Sequence, residues 1–383
     1  MLEKLQDLLR AGSEYKRTIR DHKMLLPYLQ ALLAATLFGA SAPLSKLLLG
    51  QVEPISLAGL LYLGSGVGAL AFLMVQNQRN RGHPVEASLS RLDLPWLFAA
   101  IFAGGVAAPI ILLIGLQKTP ASTASLLLNF EIVGTMLVAV LFFKEAVDRR
   151  ILLAVGLITL ASILVSWNAN AWGFSLGALG ILAACLLWGL DNNFTRQISA
   201  RDPLAIVTVK GLGAGTFSLL LACLLGKPLP GLGAILLSML LGAISYGLSI
   251  RLFILAMRDL GAARTSALFG TSPFIGVALS LILFREFPPL LFWLSMPLML
   301  AGAWIMLSEN HAHVHIHEPV GHVHSHTHPD EHHDHSHPDE PHFTSGRHSH
   351  WHQHDSLEHA HPHTPDLHHR HEHEPATGSK NPH

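Results

Sequence analysis

The sequence predicts an all-α integral membrane protein: ten transmembrane helices arranged as two inverted five-helix repeats, followed by a disordered, histidine-rich C-terminal tail. Three observations predict it. Half of the 383 residues are hydrophobic and only 13% are charged, about half the charge density of an average soluble domain. Apolar runs long enough to cross the roughly 30 Å hydrocarbon core of a bilayer recur from about residue 25 to residue 308 and then stop. Beyond them, 25 of the 27 histidines crowd into the last 73 residues.

Residues 1–27 form a largely polar arm that puts Leu2, Leu5, Leu8 and Leu9 on one helical face. A short interfacial helix is expected there, with a disordered arm as the alternative. No cleaved signal peptide is expected, because the first apolar run is itself long enough to span. The first repeat, residues 28–167, holds spans at about 28–49, 55–76, 95–116, 121–143 and 150–167. The second, residues 175–307, holds spans at about 175–190, 203–226, 231–255, 264–284 and 289–307. Each lies between charged or Pro/Gly-rich breaks.

The connecting segments fix an orientation. With the N-terminus inside, the inner segments carry sixteen Lys and Arg residues and the outer loops only Lys118, Lys227 and Arg285. The positive-inside rule then places both termini in the cytoplasm. Cys185 and Cys223 are the only cysteines and lie inside apolar runs, where they read as small packing residues rather than as a disulfide or zinc motif. Nothing in the charge pattern argues for a nucleic-acid partner.

Sliding the halves along one another exposes the repeat. LLAATLFGASAPLSK aligns with LAACLLWGLDNNFTR, pairing Phe38 with Trp188, Gly39 with Gly189, Ser45 with Thr195 and Lys46 with Arg196. EPISLAGLLYLGSG aligns with DPLAIVTVKGLGAG, pairing Pro54 with Pro203, Gly64 with Gly213 and Gly66 with Gly215. ASTASLLLNFEIVGTMLVAVLFFKE aligns with AARTSALFGTSPFIGVALSLILFRE, pairing Ser125 with Ser266 and Glu145 with Glu286. Five spans is an odd number, so the second copy enters the membrane from the opposite side. Secondary transporters are commonly built this way, with solute held between the repeats near the middle of the bilayer.

The ten spans, the two repeats and the span endings LFFKE and LFRE resemble the drug/metabolite transporter superfamily, specifically its EamA-type carriers, over residues 28–307. The resemblance implies a multi-pass carrier of the bacterial inner membrane working by alternating access, often as an exporter of amino acids or other metabolites. One feature departs from the family's pattern. Members often carry a proline near the position of Glu131, as this chain does at Pro273, so a flexible fourth span is not carried over from the resemblance.

Several polar residues inside the spans are candidates for substrate binding or coupling. Glu131 lies ten residues into span four, near mid-bilayer, with Asn129 half a turn away. An acid there costs several kcal/mol, on the order of the scale for buried charge, unless it is neutral, paired or facing water. It reads as a proton-coupling or substrate-amine site, or as a structural partner of Lys210 in span seven. Trp188, Asp191, Asn192 and Asn193 close the expected span six, as the lining of a cytoplasmic mouth or as ordinary helix caps. Tyr246, with Ser245, offers donors from span eight to a cavity or to a neighbouring helix. Lys46 is expected to snorkel to the outer interface. The glycines of GSGVG and GLGAG suit close helix packing rather than a phosphate loop, since no strand precedes them and no GKS or GKT follows.

From residue 308 the chain is too polar to bury a core and is expected to be disordered without a ligand. Histidine occupies alternate positions at His311, His313, His315 and His317, at His322, His324, His326 and His328, and at His348, His350, His352 and His354. Imidazole suits zinc, nickel, cobalt and copper, so the tail is expected to act as a multivalent metal chelator. No cofactor is expected for the helical core. The expected partners are the lipid bilayer, a small-molecule substrate and transition-metal ions, with a homodimer left open.

Three functions are compatible with this pattern. The first is a carrier exporting a small polar, amino-acid-like metabolite, with a metal-binding cytoplasmic tail. The second is an efflux carrier for zinc, nickel or cobalt fed by that tail. The third is a membrane-tethered metal store. The spans carry no histidine, which disfavours a metal path through the membrane, and no constellation of catalytic groups points to an enzyme.

Overall fold

The structure is a computed structural model that describes residues 25–79, 87–143, 149–168, 173–199, 201–260 and 262–307, and the backbone alone of 312–317, 320–326, 348–354 and 357–362. The expected interfacial helix lies at residues outside this set. Among the described residues, nine helices are long and apolar enough to cross a membrane. They are span 1 (Leu25–Leu48), span 2 (Pro54–Gln78), span 3 (Arg91–Gln117), span 4 (Ala121–Phe143), span 5 (Arg149–Ser166), span 6 (Leu176–Gln197), span 7 (Pro203–Leu224), span 8 (Leu232–Met257) and span 9 (Arg264–Phe284). Span 10, Leu290–Met306, is shorter and equally apolar. A two-residue ladder, Trp167–Asn168 against Gly173–Phe174, bridges spans 5 and 6.

The largest helix pairings join the two repeats: span 2 with spans 7 and 8, span 5 with span 10, span 4 with spans 6 and 9, and span 3 with span 6. Small residues make these approaches close, as expected where lipid removes the ordinary hydrophobic drive between helices. A Cβ on Gly66 would fall 2.5 Å from the Leu212 backbone nitrogen, and one on Gly189 would fall 2.4 Å from the carbonyl carbon of Gly134. The glycine pairs read as packing devices do pack. Outward-facing positions are apolar and bare, with Leu224 84% and Trp304 75% exposed. Such a surface belongs against hydrocarbon rather than water.

Five spans depart from a regular α-helix. Span 1 turns at Ala40 before resuming over Ser41–Leu48. Spans 3 and 8, the third of each repeat, pass through π-helical segments at Ile101–Ala107 and Ala243–Leu248. Spans 4 and 9, the fourth of each repeat, are interrupted between Ala121–Leu127 and Phe130–Phe143, and between Ala262–Phe269 and Ser272–Phe284. The second break has Pro273 at the start of its new helix. The first has no proline, yet it breaks. The Asn129 side-chain amide donates to the Leu126 carbonyl at 3.0 Å, and such local side-chain bonds compete with the helical ladder. A proline is therefore not needed to interrupt the fourth span.

Span 6 runs seven residues past its expected end at residue 190. Its Trp188–Thr195 stretch does not cap the helix but lies within it, because its polar side chains find partners on neighbouring helices.

In the tail, the expectation of disorder falls mainly on residues outside the described set. The backbone that is described pairs 312–317 with 357–362, and 320–326 with 348–354, in antiparallel register.

Candidate functional site

The polar stretch of span 6 faces span 4, span 7 and the π segment of span 3. One helical turn sends Asp191, Asn192 and Asn193 in three directions. Asp191, 4% exposed, forms an ion pair with Lys210 of span 7, whose Nζ lies 2.6 Å from Oδ1. Thr195, one turn on, donates its hydroxyl to the same oxygen at 3.0 Å. Asn193 donates to the backbone carbonyls of Gly189 at 2.8 Å and of Thr135 at 3.0 Å, tying span 6 to span 4. Asn192 donates to the Glu131 carboxylate at 2.9 Å and lies 3.0 Å from the Thr135 hydroxyl.

This arrangement corrects the expected partner of Lys210. The lysine goes to Asp191, one helix turn along span 6 from Trp188, and Glu131 is left with a neutral amide. Both remain within electrostatic range of Glu131. Because span 6 continues as helix, Asp191 sits inside the bundle rather than at its mouth, and a buried carboxylate there requires a cation. Asp191 is the buried member of the three, and Glu131 and Lys210 are partly exposed; Glu131 is the acid that the lysine leaves uncompensated.

An aromatic wall stands beside the charges. Tyr62 of span 2 and Trp188 of span 6 both donate to the carbonyl of Gly104, at 2.7 and 3.0 Å. Gly104 lies in the π segment of span 3, where the widened turn leaves a carbonyl free to accept from side chains. Tyr246, in the π segment of span 8, stacks on Tyr62 with ring centroids 5.9 Å apart, and Phe38 meets Tyr246 edge-on at 5.8 Å. The Tyr246 hydroxyl bonds to Ser41 and lies within electrostatic range of Glu131. The tyrosine thus bonds to a neighbouring helix and stands beside the charged cluster. Asn129 is 1% exposed, its amide on Leu126 and its Oδ1 without a partner. Its side chain shapes the break that presents Glu131, at the first turn of the new helix.

Reasoning from sequence missed Gly104, Thr135 and Tyr62. Gly104 is needed sterically: a Cβ there would lie 1.9 Å from Asp191 Oδ2. Its signal in the sequence is the Gly104-Gly105 pair, one among many glycines.

Away from these charges, where span 3 ends and span 4 begins, lies a second polar cluster. Lys46 does not snorkel but donates to the carbonyls of Leu116, Gln117 (3.2 Å) and Thr119 (2.9 Å) at the end of span 3. Those carbonyls lack helical partners and attract a cation. Glu286, from the LFRE ending of span 9, accepts from the backbone nitrogens of Ala121 at 2.8 Å and Ser122 at 3.0 Å, and from the Ser122 hydroxyl. Arg285 ends span 9 in the left-handed conformation, φ 49°, which terminates the helix immediately before this acid. The second repeat thereby caps a helix of the first.

Of the candidate metal ligands, His311 and His328 lie outside the described residues. The other ten lie on tail strands whose backbone alone is described. There the register sets His322 opposite His352, His324 opposite His350, and His326 opposite His348, and alternate residues of a strand share one face. Elsewhere among the described residues no three His, Cys, Asp or Glu side chains gather as a metal site would require.

Comparison with known proteins gives a consistent picture. A family model described as the EamA-like transporter family matches residues 25–167 and again 175–308. The chain is 29% identical over 296 residues to an uncharacterized transporter of Methanothermobacter thermautotrophicus, covering 73% of this chain and 85% of that one. A solved crystal structure of a protein superposes at a TM-score of 0.53 with 18% identity, over 73% of this chain and 95% of that chain. This last likeness speaks for the fold alone.

Proposed function

We propose that this chain, which belongs to the EamA-like transporter family, exports a small polar metabolite bearing a protonated amine, with Glu131 as the group that receives it. That the protein is a multi-pass membrane transporter follows from the family. The substrate class, the direction, the bacterial inner membrane and the cytoplasmic placement of both termini are our reading.

The observation that carries it is the contrast between the partners of the two acids. Asp191 is neutralised by Lys210, whereas Glu131 has, among the described residues, the neutral amide of Asn192 and stands at a helix break between the repeats. A carboxylate so placed accepts either a proton or an ammonium group, and the two exclude one another. Exchange of one for the other is a direct route to coupling solute export to proton entry. Thr135 and Asn192 supply hydrogen bonds for the polar remainder, and Tyr62, Tyr246 and Trp188 offer flat faces to an apolar part and attraction to a cation.

In this reading the tail binds zinc, nickel, cobalt or copper in the cytoplasm, supported by cross-strand histidine pairs whose Cα atoms lie about 5 Å apart in any antiparallel ladder. The core, by contrast, gathers no set of metal ligands among its described residues, which favours metabolite over metal as the solute.

The test is transport in proteoliposomes by the full chain, a chain ended after Asn310, and Glu131→Gln. Amino acids should move and zinc, nickel and cobalt should not, with transport strongly reduced in Glu131→Gln and retained in the shortened chain. Metal transport abolished by Glu131→Gln would instead make the protein a metal exporter fed by its tail.

A further inference from the structure

At the end of the bundle where span 2 stops and span 7 begins, the cytoplasmic end by the cation count, a shallow cleft with about 30 Å³ of enclosed room lies partly open to the surroundings, so that a ligand would seat across its mouth. Gln76, Asp202, Leu204, Arg251, Ile254 and Leu255 line it. Its two charges are opposite, half-buried and not paired with each other. The Arg251 guanidinium lies over the Phe72 ring, 4.7 Å from its centroid, and makes no ion pair or hydrogen bond to a described residue. Asp202 is held by its role at the start of span 7, where Oδ1 accepts from the nitrogens of Leu204 at 2.9 Å and Ala205 at 3.4 Å. Its Oδ2 accepts from no described residue.

Opposite charges in a low-dielectric cleft attract one another. Free side chains would close on one another. Here one is held by a ring and the other by a helix terminus, so each is left to meet a charged group of a bound molecule, and a molecule that carries both charges answers both. We propose that the cleft binds a zwitterion, its ammonium at Asp202 and its anionic group at Arg251, with Gln76 as a further hydrogen-bond partner. The apolar remainder, Leu204, Ile254 and Leu255, accommodates attached hydrocarbon. Exposed Met74 and Val75, 55% and 48% accessible, precede Gln76 along span 2.

Two sources share this chemistry: the headgroup of phosphatidylethanolamine, a zwitterion of the membrane surface, and a free amino acid arriving from the cytoplasm. The site does not depend on the role of Glu131, and binding rather than transport tests it. The full chain would be placed in phosphatidylcholine nanodiscs, whose choline has no N–H to give Asp202. Phosphatidylethanolamine, phosphatidylglycerol, or free leucine would be added in separate arms, and the molecules retained counted by native mass spectrometry.

Phosphatidylethanolamine or leucine should be retained about fivefold or more over phosphatidylglycerol, a difference that one well-made charged contact supplies. Arg251→Gln and Asp202→Asn should each erase the preference and Arg251→Lys should keep most of it. Asn still caps a helix, so Asp202→Asn removes charge without removing the start of span 7. Retention of phosphatidylethanolamine alone identifies a lipid site, and retention of leucine identifies a solute site. Equal retention of phosphatidylglycerol, no retention of either zwitterion, or an unchanged preference in both Arg251→Gln and Asp202→Asn would overturn the proposal.

Discussion

The two repeats share a set of backbone irregularities but not their chemistry. The third span of each contains a π segment, Ile101–Ala107 or Ala243–Leu248, and the fourth span of each is interrupted at the matching place. At aligned positions the side chains diverge. Where the first repeat has Ser41, Ala42 and Pro43 in span 1, the second has Asp191, Asn192 and Asn193 in span 6. Where the second has Ser272 in span 9, the first has Glu131 in span 4. The charges thus fall on spans 4 and 6, which touch across the repeat boundary, while spans 1 and 9 stay uncharged at the matching sites. The backbone breaks are common to both copies, whereas the charges belong to one interface between them.

This contrast can be broken most forcefully at the ion pair. Lys210→Met leaves Asp191 buried without a cation and should cost about 3–5 kcal/mol, measured as thermal stability in detergent. Lys210→Met combined with Asp191→Leu should recover most of the loss. If the single change is tolerated, Asp191 is not held as a charge.

The next largest effect separates the aligned pair Glu131 and Ser272. Glu131→Gln keeps a side chain that accepts from Asn192 but removes the charge, and transport should fall about 10- to 100-fold, as loss of a charge-assisted bond implies. Ser272→Ala should stay within about twofold of wild type. Comparable losses in both would show that the repeats share the work.

Two glycines sharpen the steric side of the comparison. Gly104→Ala drives a methyl into Asp191 and should destabilise by about 1–3 kcal/mol. Gly156→Ala, on an exposed face of span 5 with nothing within 4 Å of the new methyl, should stabilise by about 0.5–1 kcal/mol through helix propensity. The smallest effect is expected at the cap that Glu286 makes. Glu286→Gln weakens charge-assisted bonds to the start of span 4 and should lower stability by about 1 kcal/mol, with transport retained.

The spans, the repeats and the polar residues of span 6 were legible in the sequence, because hydropathy, charge placement and spaced Gly/Pro positions are one-dimensional signals. The break in span 4 was not, since it rests on Asn129 rather than on a proline. The π segments left no trace either, as their apolar runs look like any others. Partner choice was the main thing lost: Lys210 suits either acid by depth alone, and only the packing of span 7 on spans 2 and 3 puts Asp191 within its reach. Gly104 matters for what approaches it, which no local pattern reveals.

The central claim is that Glu131 exchanges a proton for the amine of the solute. It is tested most directly by loading proteoliposomes with a mixture of proteinogenic amino acids and following efflux against an imposed inward proton gradient, wild type beside Glu131→Gln. The account predicts gradient-accelerated efflux of at least one amino acid by wild type and loss of that acceleration in Glu131→Gln. Efflux that responds to the gradient equally in both proteins would contradict it.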